Sequence, residues 1–182
     1  MIRTIGFLEL TSIAKGIEVS DAMLKAAQIE VYMTTPTCPG KYIILVYGDL
    51  SSVENAIRVG VRLGGEFVVE DLVIANVEEQ IFPALTGTTE TFEIGAVGII
   101  ECLSISSLIE AADASTKEAN VKILEIRLGS GIGGKAYVTI TGDVADVKAG
   151  ISSGVEAIKD TGSLAYFTVI PSPHENFKQL LF

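Results

Sequence analysis

The chain has 182 residues, with 13 Lys and Arg against 23 Asp and Glu, so its formal net charge is −10 at pH 7. An acidic chain lacks the positive surface that phosphate backbones and anionic lipids attract, so neither nucleic acid nor a membrane is expected as a partner. Apolar residues make up 48% of the chain, which is enough for one or two hydrophobic cores.

A membrane span is not predicted, although the mean hydropathy is high at +0.47. The longest apolar stretch, residues 94–109, contains Glu101 and several serines, so it is too short and too polar to cross a bilayer. The N-terminal residues reach Glu9 before the core of a signal peptide could form, so no export signal is expected. We therefore expect a cytosolic location, where Cys38 and Cys102 would not form a structural disulfide.

The first half of the chain is predicted to contain four strands and two helices. Apolar and β-branched runs predict the strands, and apolar residues at helical spacing predict the helices. Asp49, Ser51 and Ser52 are candidate caps of the second helix. The predicted order is a strand over residues 2–13, a helix over 21–27, strands over 31–35 and 42–47, a helix after residues 48–49, and a strand over 67–75.

The turn between the second and third predicted strands contains a cysteine. Prolines at positions 36 and 39 flank Cys38 and keep this turn off the strand ladder, so its thiol is expected to be accessible. Cys102 lies in an apolar strand and is expected to be buried. One thiol cannot hold a zinc ion or an iron–sulfur cluster, which need three or four ligands, but a symmetric oligomer could supply three.

The second half repeats the first at an offset of 92 residues, which rises to 94 after a two-residue insertion. Gly6 and Glu9 recur as Gly98 and Glu101, and Gly48-Asp49 recurs as Gly142-Asp143. A period of this length indicates a duplicated domain. We predict domains over residues 1–90 and 91–182, with the boundary in the polar stretch 86–92. The matching strands are predicted near residues 96–105, 121–128, 136–141 and 164–170.

Both halves therefore have the order β-α-β-β-α-β. This is the ferredoxin-like arrangement, an α/β (α+β) fold in which helices cover one face of an antiparallel sheet. The sequence predicts two such domains in tandem.

The glycine-rich segment over residues 129–135 matches two phosphate-binding patterns, Gly-x-Gly-x-x-Gly and Gly-x-x-x-x-Gly-Lys. Both motifs require a helix after the loop, whereas a strand is predicted here, and Ala136 replaces the Ser or Thr that holds magnesium. We interpret the segment as a β–β turn. His174, the single histidine, is expected to cap or begin a helix.

The repeated pattern of Gly-x-x-Glu, Asp-Ala-x-x-Lys, Gly-Lys and Gly-Asp resembles bacterial microcompartment shell proteins over nearly the whole chain. It is most similar to the tandem-domain kind, whose two BMC domains per chain form trimers shaped like hexamers. This resemblance implies a non-enzymatic shell-facet protein that forms a homotrimer and packs beside other shell proteins in a microcompartment shell. It also implies that Lys25 and Lys117 are the edge lysines through which neighbouring tiles pack.

The segments Thr-Cys-Pro-Gly-Lys in the first half and Val-Ile-Pro-x-Pro-His near the end resemble shell proteins that bind an iron–sulfur cluster through a pore-loop cysteine. The resemblance implies that Cys38 from each of three subunits binds one [4Fe-4S] cluster per trimer. The cluster would serve electron transfer across the shell or cluster delivery, with a redox enzyme of the lumen or cytosol as a further partner. Two turns would form the central pore, one with Thr37, Cys38, Pro39 and Gly40 and one with Ser130, Gly131, Ile132, Gly133 and Gly134.

Two alternative functions remain open at this point. The first is a shell pore that passes a small metabolite and holds no cluster. The second is an oligomeric ferredoxin-like enzyme or ligand sensor.

Overall fold

A computed structural model describes residues 4–90 and 93–179. Each half has the predicted β-α-β-β-α-β order, so the ferredoxin-like fold class is confirmed, and a short helix follows the last strand of each half. The first half contains β1 (Thr4–Leu10), α1 (Ile13–Ala26), β2 (Ile29–Thr37), β3 (Lys41–Gly48), α2 (Leu50–Gly64), a 3₁₀ turn (Gly65–Phe67), β4 (Val68–Ala75) and α3 (Ile81–Thr86). The second contains β5 (Ala96–Cys102), α4 (Ile105–Glu118), β6 (Lys122–Leu128), β7 (Ala136–Gly142), α5 (Val144–Ala157), β8 (Leu164–Ile170) and α6 (Glu175–Lys178).

The two sheets have the same topology. The strand order is β2-β3-β1-β4 in the first and β6-β7-β5-β8 in the second, and all neighbouring strands are antiparallel. Gly6 of β1 and Gly98 of β5 are required for helix packing, because a Cβ atom at either position would approach side chains of α2 or α5 to 2.8 Å or less. The repeated glycine therefore lets one helix lie directly against the central strand of each sheet.

The first helix of each half begins earlier than the sequence predicted, so the predictions of strands over residues 2–13 and 96–105 are wrong at their C-terminal ends. The side chain of Ser12 accepts a hydrogen bond from the Lys15 N–H at 3.3 Å, and Ser104 does the same for Ser107 at 3.3 Å. These serine caps begin α1 and α4, because a hydroxyl that satisfies a free N–H favours helix over a continued strand. Residues 2 and 3 lie outside the described part of the chain.

The chain divides into two compact units, Met1–Val77 and Glu78–Phe182. The second unit therefore includes residues 78–90, which the sequence analysis placed in the first domain. The sequence analysis did not predict α3, which lies in this segment and packs on β6. The Gln80 amide holds the segment there, because it donates to the Val121 carbonyl at 3.3 Å and accepts from the Ile123 N–H at 3.2 Å.

Within residues 4–90 and 93–179, the helices are all too short or too polar to span a bilayer.

Candidate functional site

The turn between β2 and β3 contains Cys38, as the sequence predicted. The Gly40 N–H donates to the Thr37 carbonyl at 2.9 Å and closes the turn, and the Cys38–Pro39 peptide bond is cis. Gly40 has a φ of +91°, a conformation that favours glycine. The free thiol of Cys38 is half-buried, while Pro39 and Gly40 are exposed. Cys102 is fully buried in β5, as expected.

Thr37, next to Cys38, contains an unsatisfied polar atom. Its Oγ1 is buried and has no hydrogen-bond partner among the described residues. Buried hydroxyl groups in proteins nearly always have a partner, and leaving one unsatisfied costs about 1–3 kcal/mol.

An ion pair anchors the base of this turn to β1. The Lys41 Nζ lies 3.1 Å from the Glu9 Oε1, and the Glu9 side chain is only 3% exposed. Burial raises the pKa of Glu9 above its usual value, because a carboxylate loses hydration there, although Lys41 opposes this shift. A buried carboxylate on the central strand thus fixes the first residue of β3.

The turn between β6 and β7 occupies the same place in the second unit but is built from glycine. Gly129, Gly131, Gly133 and Gly134 all have positive φ, and the Gly134 N–H donates to the Gly129 carbonyl at 3.2 Å. β7 follows directly at Ala136, so the interpretation of this segment as a β–β turn is confirmed and the helix that a phosphate loop needs is missing at this place.

The lysine of this second turn is already paired. The Lys135 Nζ lies 2.6 Å from the Glu101 Oε1, which is the counterpart of the Lys41–Glu9 pair. Here the glutamate side chain is 33% exposed and the lysine 50% exposed. The two turns therefore rest on equivalent ion pairs, one buried and one accessible to solvent.

Lys25 and Lys117 occupy equivalent positions in the last turns of α1 and α4. Each pairs with an aspartate one turn earlier, Lys25 with Asp21 at 2.5 Å and Lys117 with Asp113 at 2.6 Å. Their positions fit the edge lysines that the resemblance implies, and their role in packing between tiles stays a prediction.

His174 is the N-cap of α6, since its Nδ1 accepts from the Asn176 N–H at 3.2 Å, so the predicted cap is confirmed. Within residues 4–90 and 93–179, no three His, Cys, Asp or Glu side chains of one chain come together to hold a metal ion.

Sequence reasoning missed two features of the site, the buried state of Glu9 and the unsatisfied hydroxyl of Thr37. The sequence contains no signal for the first, because the equivalent glutamate of the matching strand, Glu101, is partly exposed. The sequence contains no signal for the second.

Comparison with known proteins gives the same result for both halves. The sequence model of the BMC-domain family matches residues 4–77 and again residues 96–173. The chain is 41% identical to the bacterial microcompartment shell protein PduT of Citrobacter freundii over 176 residues, covering 97% of this chain and 96% of that protein. It is also 37% identical to the shell protein PduA of Citrobacter freundii over 87 residues, covering 47% of this chain and 90% of that protein.

A solved structure has the same fold over the whole chain. The crystal structure of a microcompartment protein from Desulfitobacterium hafniense DCB superposes with a TM-score of 0.91 at 45% identity, covering 98% of this chain and 99% of that chain. With two matches to the BMC-domain family model and 41% identity to a shell protein over 97% of its length, this chain belongs to the BMC-domain family of bacterial microcompartment shell proteins.

Proposed function

We propose that this protein is a shell-facet tile made of three copies, with a [4Fe-4S] cluster at its centre. Each chain supplies two units of the same topology, so three chains around an axis give six similar units and pseudo-sixfold symmetry. The equivalent turns of the two units, residues 37–40 and 130–134, would alternate around the axis. This arrangement would bring three Cys38 thiols together.

The residues of the first turn suit such a cluster. Iron–sulfur clusters are held by cysteine thiolates, and Cys38 is a free, half-buried cysteine in a turn. Three copies provide three thiolates, which leaves one iron to another ligand. When bound, the cluster would supply one-electron transfer.

The observation that carries the proposal is the difference between the two turns. The first has a cysteine at the place where the second has only glycine, serine and isoleucine. In a pore lined alternately by the two turns, the Cys38 turns would therefore supply all the thiols. The tile would pass electrons, or a cluster, to a redox enzyme on one side of the shell.

The test is the iron content of protein that is purified or reconstituted without oxygen. We expect about four iron atoms per three chains, a visible absorption band and an EPR signal after reduction. Cys38→Ser should lower iron to background, because an alcohol is a much poorer ligand for iron than a thiolate. Cys102→Ala is the matched control, since Cys102 is buried in β5 and should leave the iron content unchanged.

If wild-type protein holds no more iron than Cys38→Ser, the cluster proposal is wrong and a metabolite pore without a cluster takes its place. Electron microscopy tests the tile itself, because a shell-facet protein should form hexagonal sheets and an oligomeric enzyme or sensor should not.

A further inference from the structure

The two lysine–glutamate pairs differ in their contact with water, and the buried pair lies beneath the turn that contains Cys38. The Glu9 side chain is 3% exposed, whereas its counterpart Glu101 is 33% exposed. Water screens the charge of an exposed carboxylate and screens that of a buried one poorly. The protonation of Glu9 should therefore respond to a charge added nearby, while that of Glu101 should respond much less.

Two charged side chains act on Glu9. Lys41 of β3 lies 3.1 Å away, and Glu70 of β4 lies opposite Glu9 in the pairing of β1 with β4. Leu8 and Leu10 pack with residues of α1 and α2, so Glu9 points to the other face of the sheet, away from those helices. Burial is the main cause that raises the pKa of Glu9; Glu70 adds to the rise and Lys41 opposes it. Glu9 thus accepts a proton more readily than an ordinary glutamate.

Lys41 connects Glu9 to the turn. It pairs with Thr37 in the ladder between β2 and β3, and it directly follows Gly40, whose N–H closes the turn. Cys38 lies between these paired residues. In a tile of three copies, three Glu9–Lys41 pairs would surround the centre at which the three Cys38 thiols meet.

Lys41 also connects Glu9 to solvent. Glu9 is nearly excluded from water, but the Lys41 side chain is 27% exposed and its ammonium group lies within hydrogen-bond distance of the Glu9 carboxylate. A proton from water can therefore reach Glu9 through the Lys41 amine, which then regains a proton from solvent.

We infer that Glu9 takes up one proton when the [4Fe-4S] cluster at Cys38 gains one electron, and releases that proton when the electron leaves. The inference rests on the proposed cluster and assigns the group that balances its change in charge. The electron comes from a one-electron donor such as the proposed redox enzyme, and the proton comes from water. An O–H bond forms on the Glu9 carboxylate during reduction and breaks during oxidation.

The direction follows from electrostatics. A negative charge added beside the turn repels the Glu9 carboxylate and favours its neutral form, most strongly where water is excluded. Proton uptake at Glu9 lowers the cost of adding that charge, so it raises the reduction potential at low pH. Glu9 is not an iron ligand in this arrangement, and it acts only through its charge.

The test is the pH dependence of the reduction potential, measured by absorption and EPR during titration with dithionite in the absence of oxygen. The potential of wild-type protein should fall as the pH rises through the pKa of Glu9. Its slope should approach about 59 mV per pH unit, which is the value of a tenfold change in proton concentration for one electron. Glu9→Gln should lose this slope. It should match wild type at low pH and have the higher potential at high pH, because it lacks the negative charge.

Glu101→Gln is the matched control, since it makes the same change in the equivalent, exposed pair. It should retain the slope of wild type. A potential that does not depend on pH in wild type, a slope that persists in Glu9→Gln, or an equal loss of slope in both variants would each overturn the inference.

Infrared difference spectroscopy gives a second readout that needs no change at Glu9. Reduction of the wild-type protein should produce the C=O band of a protonated carboxyl group, and the same band should appear in Glu101→Gln. Absence of the band in wild type also contradicts the inference. If wild-type protein binds no iron, the cluster proposal fails and this inference fails with it. If iron is bound in the expected amount but reduction is not accompanied by proton uptake, this inference alone is wrong.

Discussion

The two units share a framework and differ in their turns. Both have the same strand order, a glycine under the second helix and a lysine–glutamate pair at the base of the turn. The β2–β3 turn has proline and cysteine, whereas the β6–β7 turn has glycines with positive φ. A turn that adds little to the core can change its residues without loss of the fold. The two turns of a duplicated domain can therefore diverge, so that one carries a reactive cysteine and the other only glycine and small polar or apolar residues.

The largest expected effect concerns Lys25 and Lys117, which lie at equivalent positions in the two units and which the resemblance assigns to the edge of the tile. For the proposed three-copy tile, Lys25→Glu combined with Lys117→Glu should abolish hexagonal sheets in electron microscopy and leave the trimer intact, because the long apolar stems proposed to pack against a neighbouring tile would be replaced by a repelling charge. Each single variant should weaken the sheets less, since three of six equivalent sites per tile remain.

Lys159→Glu is the matched control for the edge lysines, because Lys159 is also an exposed lysine near the end of a helix. Sheets of normal extent from the double variant would show that Lys25 and Lys117 are ordinary solvated lysines.

The next effect distinguishes the two ion pairs. Lys41→Met should destabilise the protein by about 2–3 kcal/mol, because it leaves the buried Glu9 carboxylate without its cation. Lys135→Met should cost about 0–1 kcal/mol, because Glu101 stays accessible to water. Thermal unfolding at a fixed protein concentration should therefore show a fall in Tm of several degrees for the first variant and little change for the second. Equal falls would contradict the difference in burial.

The smallest effect concerns the caps of α2 and α5. The Asp49 side chain accepts from the Ser52 N–H at 3.0 Å, while Asp143 makes no such bond in α5. Asp49→Ala should thus lower Tm by a degree or two and Asp143→Ala by less.

The Asp49 cap also predicts a dependence on pH. Hydrogen bonds from Ser52 and Ser51 lower the pKa of Asp49 from 3.8 to about 2, so the folded state binds this proton less readily than the unfolded state. The stability that the cap provides is present above pH 4 and is lost as the pH falls towards 2. The difference in Tm between wild type and Asp49→Ala should therefore shrink over that range, and a constant difference would contradict the cap.

Much of the candidate site could be predicted from the sequence, because its signals are local or periodic. The repeat offset shows that Lys25 and Lys117 are equivalent residues of two domains and that the turn with Cys38 is equivalent to the glycine-rich turn. The alternation of apolar runs with turn residues predicts the order of strands and helices along the chain. The caps at Asp49 and His174 follow from residue type at a helix start. The caps depend on residues only a few positions apart, and the repeat is a periodicity that can be read directly from the sequence.

The tertiary structure decided the features that depend on distant residues. Glu9 and Glu101 have the same sequence context, yet one is buried and the other accessible, because the packing around each pair differs. The segment after β4 packs on β6, which follows it by more than 40 residues, because the Gln80 amide forms hydrogen bonds with backbone groups at the free edge of that strand. The unsatisfied hydroxyl of Thr37 becomes visible only once the rest of the chain is in place, since exposure is a property of the whole packed molecule and not of a local sequence pattern.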